Sequence, residues 1–439
     1  KELKVLENYL ELLIPKEDRK LNGAFFTPTY VVDFIINEVN PQISDKCLDL
    51  SCGCGAFLIG IAEHFKHKLK KSVKHTVQEN IYGCDILAYN VNRAKIMLSL
   101  FGLIHGEIIE ETDFNIYHQD SLQAVWSKEF EIIVGNPPYV KYQDLSSANR
   151  LRLTTNWKTV SKGTFNLYFA FFELGHKLLS KNGKLGYITP NNYFTSLAGL
   201  PLRQYFINNK CVARIVDFSH KKVFGAQAYT AISFLDKKIN HHILYDRIKN
   251  EQPCDDFLRS VNGSPNFLKN LKPKKWRLLK TEEQANIKTI ETIGTPIKQL
   301  FNIAVGVATL KDEVFFVDST FEENGYLKKT TEKGTFQIEK EITKPVYKIP
   351  KFKCQNDIDN NMLRIITPYG ISSKKAVPIL EEEFKARYPK CYMYLLSEKE
   401  KLDSRDKGKG NYSPFYVWGR TQGITRFGKK LLSPTFSKH

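Results

Sequence analysis

The sequence predicts two domains: a larger α/β domain built on a mostly parallel sheet, then a smaller α+β domain. Two observations carry this. Between residues 46 and 235, short apolar runs alternate with longer amphipathic stretches, the pattern of strands joined by crossover helices. After Leu235 that alternation stops, and from about Pro296 the chain reads as short strands and turns rich in Lys, Tyr and Phe. At 439 residues and 42% hydrophobic content, the chain exceeds what one ordinary core organises.

Residues 46–50 read as a first buried strand, and a helix follows over 56–69. Residues 81–85 are a second strand, with a helix near 90–101; 114–118 are a third and 130–135 a fourth. A strongly apolar helix spans 165–179 and stops ahead of Asn182-Gly183, a helix-ending pair. Residues 184–189 make a fifth strand, halted by Pro190, and 213–218 and 229–235 are two more, paired at the sheet edge. The stretch 241–292, with Pro265, Pro273 and the 272–275 charge run, predicts a linker or docking segment. The boundaries therefore fall at 1–240, 241–292 and 293–439. The chain shows no internal repeat and no low-complexity tract.

The net charge of +18, with a pI near 9.3, favours a polyanionic partner, nucleic acid first and an anionic membrane surface second. No apolar stretch reaches the ~20 residues of a spanning helix. Lys1-Glu2-Leu3-Lys4 mixes acid and base and leads into no short apolar core with a cleavage site, so no signal peptide is expected. The eight cysteines are scattered, and only Cys52 and Cys54 stand close together. Reduced thiols in a cytoplasmic protein, without a metal, are expected.

The strongest chemical signal is Asn136-Pro137-Pro138-Tyr139, directly after a buried strand. The lone pair of an adenine amine is delocalised into the ring and is a poor nucleophile. Accepting hydrogen bonds from both amine hydrogens recovers it. The Asn136 side-chain oxygen and the Pro137 carbonyl are suitable acceptors, and the two prolines fix the backbone that aims them. Tyr139 offers a face on which a base can stack. The ordinary alternative is a Pro-Pro turn after a strand.

A second signal is Asp49-Leu50-Ser51-Cys52-Gly53-Cys54-Gly55-Ala56-Phe57, between the first strand and its helix. Glycines there let the backbone approach a ligand, although Leu58 occupies the third glycine's place in the dinucleotide fingerprint. Asp85 ends the second strand, where an acid can hold the two ribose hydroxyls of an adenosyl group. Asp120, after the third strand, can accept from the adenine amine of such a group. Together these strand ends define a cleft at the carboxyl edge of one sheet.

In this order the residues resemble the gamma class of DNA adenine-N6 methyltransferases, the TaqI-type modification enzymes of type II restriction-modification systems. The resemblance starts at Gly23-Ala24-Phe25-Phe26-Thr27-Pro28. It continues through 49–57, Asp85, Asp120 and 136–139, and through Asn166-Leu167-Tyr168 and 183–190, to Leu235. It implies a Rossmann-like S-adenosylmethionine-dependent methyltransferase domain over 1–240 and a DNA target-recognition domain over 293–439. It implies cofactor contacts from Thr27, Asp49, Ser51, Gly53, Asp85, Ile86, Asp120, Ser121, Asn136 and Pro138. It implies catalysis by Asn136, Pro137, Tyr139 and Phe224, with adenine rotated out of double-stranded DNA and held between Tyr139 and Phe224 of Val223-Phe224-Gly225-Ala226. Asn166 and, within Tyr416-Val417-Trp418-Gly419-Arg420, Arg420 are DNA contacts by the same resemblance. It also implies a cognate restriction endonuclease acting separately, and leaves monomer or dimer open.

One departure is the Leu50-Ser51 context after Asp49, where many relatives have Pro. Residues 430–432 read as a strand just before Ser437-Lys438-His439, so the native chain is expected to continue and its recognition domain to be incomplete here. Transfer to the cytosine N4 amine stays open, with Ser or Asp usual in place of Asn136. So do transfer to a glutamine amide or to RNA, and a DNA-binding subunit that keeps the fold without turnover. A cytosine-C5 mechanism is excluded, since the only Pro-Cys pair, Pro253-Cys254, lies outside the motif series. DNA cleavage by this chain is not expected, because no acidic cluster with a lysine precedes the motifs.

Overall fold

The computed structural model describes residues 27–224, 229–372, 375–408, 410–425 and 430–433. Within the motifs read above, Gly23 to Phe26, Gly225-Ala226 and the terminal Ser437 to His439 lie outside the described residues. The chain divides into two compact units, Lys1–Ile293 and Gly294–His439.

The larger unit opens with helix α1 (Thr29–Val39), whose Val31, Val32, Ile35, Ile36 and Val39 are buried on one face. Strand β1 (Cys47–Asp49) is followed by α2 (Ala56–His67) and α3 (Val73–Glu79). Then come β2 (Ile81–Asp85), α4 (Ala88–Ile104), β3 (Asn115–His118) and β4 (Phe130–Gly135). Helices α5 (Ser147–Asn156) and α6 (Tyr168–Leu178) lead into β5 (Leu179–Pro190). Helix α7 (Leu200–Asn209), β6 (Val212–Asp217) and β7 (Thr230–Asp236) complete the predicted set.

The sheet has nine strands in the order β3-β2-β1-β4-β5-β7-β6, continued by β8 (His242–Arg247) and β9 (Ser264–Phe267). β1 pairs in parallel with β2 on one side and β4 on the other. The strand order reverses there, so the crevice of this Rossmann-like sheet opens at the carboxyl ends of those strands. Successive residues serve opposite faces: Cys47, Ile132 and Val134 enter one core, Leu48 and Ile133 the other. Leu48 and Ile133 are fully buried, each contributing about 2 kcal/mol of transfer energy.

Three expectations change. First, the apolar helix ends at Leu178, and Asn182-Gly183 lies inside β5. The pairing with β4 shifts register there, from Phe130↔Leu179 to Ile132↔Lys184. A Cβ on Gly183 would stand 2.8 Å from the Phe130 carbonyl oxygen, so the glycine serves a close backbone approach rather than a helix end. Second, β6 and β7 do pair antiparallel but not at the edge, because β8 joins β6 in parallel and β9 closes the sheet. Third, 241–292 is not a linker. It supplies those two strands and helix α8 (Cys254–Arg259), and its Trp276 is buried against Phe206. It closes with helix α9 (Thr281–Thr292).

The smaller unit is α+β. Its three small sheets are wholly antiparallel and share one core that includes Tyr394, Tyr416 and Trp418. The Trp418 indole N–H donates to the Ile366 carbonyl at 3.0 Å. Residues 430–433 form no strand, contrary to the reading of 430–432.

Candidate active site

The crevice at the β1/β4 reversal contains a cavity of about 300 Å³. All ten residues expected to hold the cofactor line it: Thr27, Asp49, Ser51, Gly53, Asp85, Ile86, Asp120, Ser121, Asn136 and Pro138. They arrive from four strand ends and the segment before α1, so the sheet collects what the sequence separates by more than a hundred residues.

Backbone geometry explains the glycine turn. Gly53 (φ +53°) and Gly55 (φ +99°) take left-handed conformations that L side chains rarely adopt. The turn brings the Gly53 N–H to Asp85 Oδ2 at 2.9 Å. Asp85 Oδ1 accepts from the Leu87 N–H at 2.9 Å and from Asn90 Nδ2 at 3.1 Å. Asp49 Oδ1 accepts from the Ser51 N–H at 2.9 Å. The Ser121 hydroxyl donates to the Leu50 carbonyl at 2.6 Å, tying the loop after β3 to the loop after β1.

Both strand-end acids are almost wholly enclosed, Asp49 1% and Asp85 8% exposed. Burial raises the Asp49 carboxyl to about 8, opposed by the Ser51 N–H and reinforced by the charge of Asp85. Burial also raises Asp85, against the pull of the Leu87 and Gly53 amides. Neither forms a salt bridge with a Lys or Arg among the described residues. Two desolvated carboxylates beside one cavity favour a ligand that brings positive charge and hydroxyl donors. Ile86, 54% exposed on the cavity wall, offers an apolar surface beside them.

Asp120 is engaged differently. Its Oδ2 accepts from Gln123 at 2.6 Å and pairs with Arg152 of α5 at 3.2 Å. Asn149, Arg152 and Leu153 of α5 and Phe171 of α6 also line the cavity. Sequence reading named none of these. Asn90, which braces Asp85, was also missed, although its place at the start of a helix five residues after Asp85 was a usable signal.

At the end of β4, the Asn136 amide nitrogen donates to Thr27 Oγ1 at 3.1 Å, which orients the amide. The Ser51 hydroxyl meets the Asn136 carbonyl at 3.5 Å. Tyr139 donates to the Ile188 carbonyl at 3.3 Å, and burial holds its phenol far above the usual range, so it stays neutral. Its ring meets that of Phe224 edge-on, 6.4 Å between centroids at 64°. Phe224 is 6% exposed and packs in the core. The tilt leaves no parallel gap between the two rings.

Pro137, Tyr139, Phe224 and Asn166 do not line this cavity. Asn166 bridges to Lys141, and the Leu167 N–H donates to the Val140 carbonyl at 2.8 Å, so its segment is stitched to the residues just after Tyr139. Arg420 lies in the smaller unit, where Asp406 holds its guanidinium at 2.9 Å.

Residues 79–224 match the family model described as Eco57I restriction-modification methylase. The chain is 24% identical to the type II restriction enzyme and methyltransferase RM.Eco57I of Escherichia coli, over 93% of this chain and 48% of that protein. It is also 24% identical to the type II methyltransferase M.BanIII of Aneurinibacillus aneurinilyticus, over 93% of this chain and 75% of that one. It thus spans about half the length of RM.Eco57I. Among solved structures, the DrdV–DNA complex superposes with a TM-score of 0.53 at 16% identity, covering 72% of this chain and 38% of that one, a likeness of fold.

Proposed function

We propose that this chain is an S-adenosylmethionine-dependent DNA methyltransferase of a restriction-modification system, of the gamma class, and that it methylates the N6 amine of adenine in duplex DNA. The observation that carries the reading is the Asn136–Tyr139 loop beside a cavity walled by the buried carboxylates of Asp49 and Asp85. The name of RM.Eco57I as a restriction enzyme and methyltransferase, and the description of the matching family model as a restriction-modification methylase, support DNA as the substrate.

The donor set fits the cofactor. A sulfonium and an ammonium group suit two enclosed carboxylates, and ribose hydroxyls suit Asp85, whose orientation three donors already fix. When bound, S-adenosylmethionine supplies the electrophilic methyl group. The chain's own residues do the rest. Asn136, its amide oriented by Thr27, and the Pro137 carbonyl accept the two hydrogens of the amine and return its lone pair to nitrogen. Their dipoles are in place before the reaction, so no reorganisation is required as charge develops. Tyr139 and Phe224 take the extruded base between them. Extrusion costs a few kcal/mol, and stacking returns about 1–3 kcal/mol per aromatic face. Arg420 contacts DNA from the recognition unit, and Asn166 contacts it near the loop.

The test is mass spectrometry of nucleosides from plasmid DNA incubated with the protein and methyl-labelled S-adenosylmethionine. Labelled N6-methyladenine is the expected product. Label in N4-methylcytosine overturns the choice of base, and label confined to RNA or protein overturns the choice of substrate.

A further inference from the structure

A second concavity of the larger unit, about 830 Å³, opens between β9 and α9, away from the strand-end cavity. Five cationic side chains line it, Lys269, Lys272, Lys275, Arg277 and Lys288, against a single carboxylate, Glu291. All six are exposed. Arg277 engages Glu291 at 3.1 Å. The four lysines form no ion pair among the described residues.

The cations are held by a rigid backbone. Between the lysines, Leu268, Leu271, Trp276 and Leu278 are buried and anchor the segment. The Trp276 N–H donates to the Phe194 carbonyl at 2.8 Å. Arg203, fully buried on α7, donates from Nε to the Pro273 carbonyl at 2.6 Å and from Nη2 to the Lys274 carbonyl at 2.8 Å. Lys272 and Lys275 bridge each other across the turn so clamped. Holding like charges close costs free energy in the unliganded chain. Fixing their backbone beforehand lowers the ordering cost of binding a polyanion.

We propose that this groove docks the sugar-phosphate backbone of duplex DNA, at a distance from the base that reacts. The choice of polyanion rests on the DNA-methyltransferase reading. Among its described lining residues Phe267 is the one exposed large hydrophobic, and Lys269 stands over its ring at 5.8 Å from the centroid, so the groove presents charge rather than an apolar face, which suits phosphates rather than a lipid surface.

The test is the salt dependence of duplex binding, read by fluorescence anisotropy on the full chain without methyl transfer. Each phosphate contact contributes roughly 0.9 to the slope of log K against log salt. The combined variant Lys269→Gln, Lys272→Gln, Lys275→Gln should lower that slope by about 2 to 3. It should weaken target and non-target duplexes by the same factor. Lys288→Gln, on the facing helix, should lower the slope by about 1 and keeps the test available if the triple variant fails to fold. A parental slope in both variants overturns the groove, including where the triple variant loses binding to phosphatidylserine vesicles instead. A parental protein that binds no duplex overturns the DNA reading itself.

Discussion

The carboxyl ends of β1 and β2 and the carboxyl end of β4 lie side by side in one sheet, yet carry opposite kinds of polar group. The first two present buried acids, Asp49 and Asp85, whose ionisation burial opposes. The third presents an amide and backbone carbonyls that do not titrate, beside a tyrosine that burial keeps neutral. The difference is one of charge against geometry: on one edge stand groups whose ionisation burial opposes, and on the next stand acceptors whose character is fixed by the backbone and does not change with pH; on the proposed function, the first would hold the cofactor and the second the reacting amine.

The sharpest way to break this comparison is Asn136→Ala. Removing one preorganised acceptor should lower kcat by roughly 10² to 10³-fold while leaving cofactor affinity near the parental value. Calorimetric titration alongside turnover separates the two, and retained turnover removes Asn136 from the reaction. Asp85→Ala should do the reverse. Losing charge-assisted hydrogen bonds should raise the cofactor dissociation constant by about 10- to 100-fold, with a smaller change in kcat at saturation. Phe224→Ala should raise KM for DNA about 10-fold, from loss of one stacking face, and reduce the fluorescence change of 2-aminopurine at the target. Unchanged fluorescence leaves Phe224 a core residue only.

The acids also make a pH prediction. Burial raises Asp49 from 3.8 to about 8, so between those values the folded chain holds a proton that the unfolded chain has lost. Stability of the cofactor-free protein therefore falls as pH rises through that window, and the slope vanishes above about 8, where both states are ionised. Asp49→Asn should remove this loss, melting a few degrees above the parent at pH 8 and showing no such advantage near pH 4. Equal melting temperatures at pH 8 would mean that the carboxylate is solvated or paired in the folded state.

The parallel half of the sheet was legible because each strand is a short apolar run ended by a polar residue, and the ordered polar residues at those strand ends marked where its cavity lies. What escaped did so for physical reasons. Helix α5 buries only Leu153, so it has no apolar stripe to read, yet it brings Asn149 and Arg152 to the cavity. The span 241–292 looked like a linker because β9 is four residues long and contains Pro265, which an edge strand tolerates. Asn182-Gly183 carried the composition of a helix end but serves a register shift, and only the position of the Phe130 carbonyl distinguishes the two. Helix α1 is the exception: its apolar residues at 31, 32, 35, 36 and 39 are periodic and were legible in the sequence as a helix.

Gly135 joins the two edges. A Cβ built on it would stand 2.8 Å from Asp49 Oδ1, inside the contact distance of the two atoms. The residue that precedes the amide of Asn136 is therefore shaved to a hydrogen by the acid of the neighbouring strand. The spacing between the Asp49 carboxyl and the start of the Asn136 loop is thus set at a position where the chain has no side chain to vary.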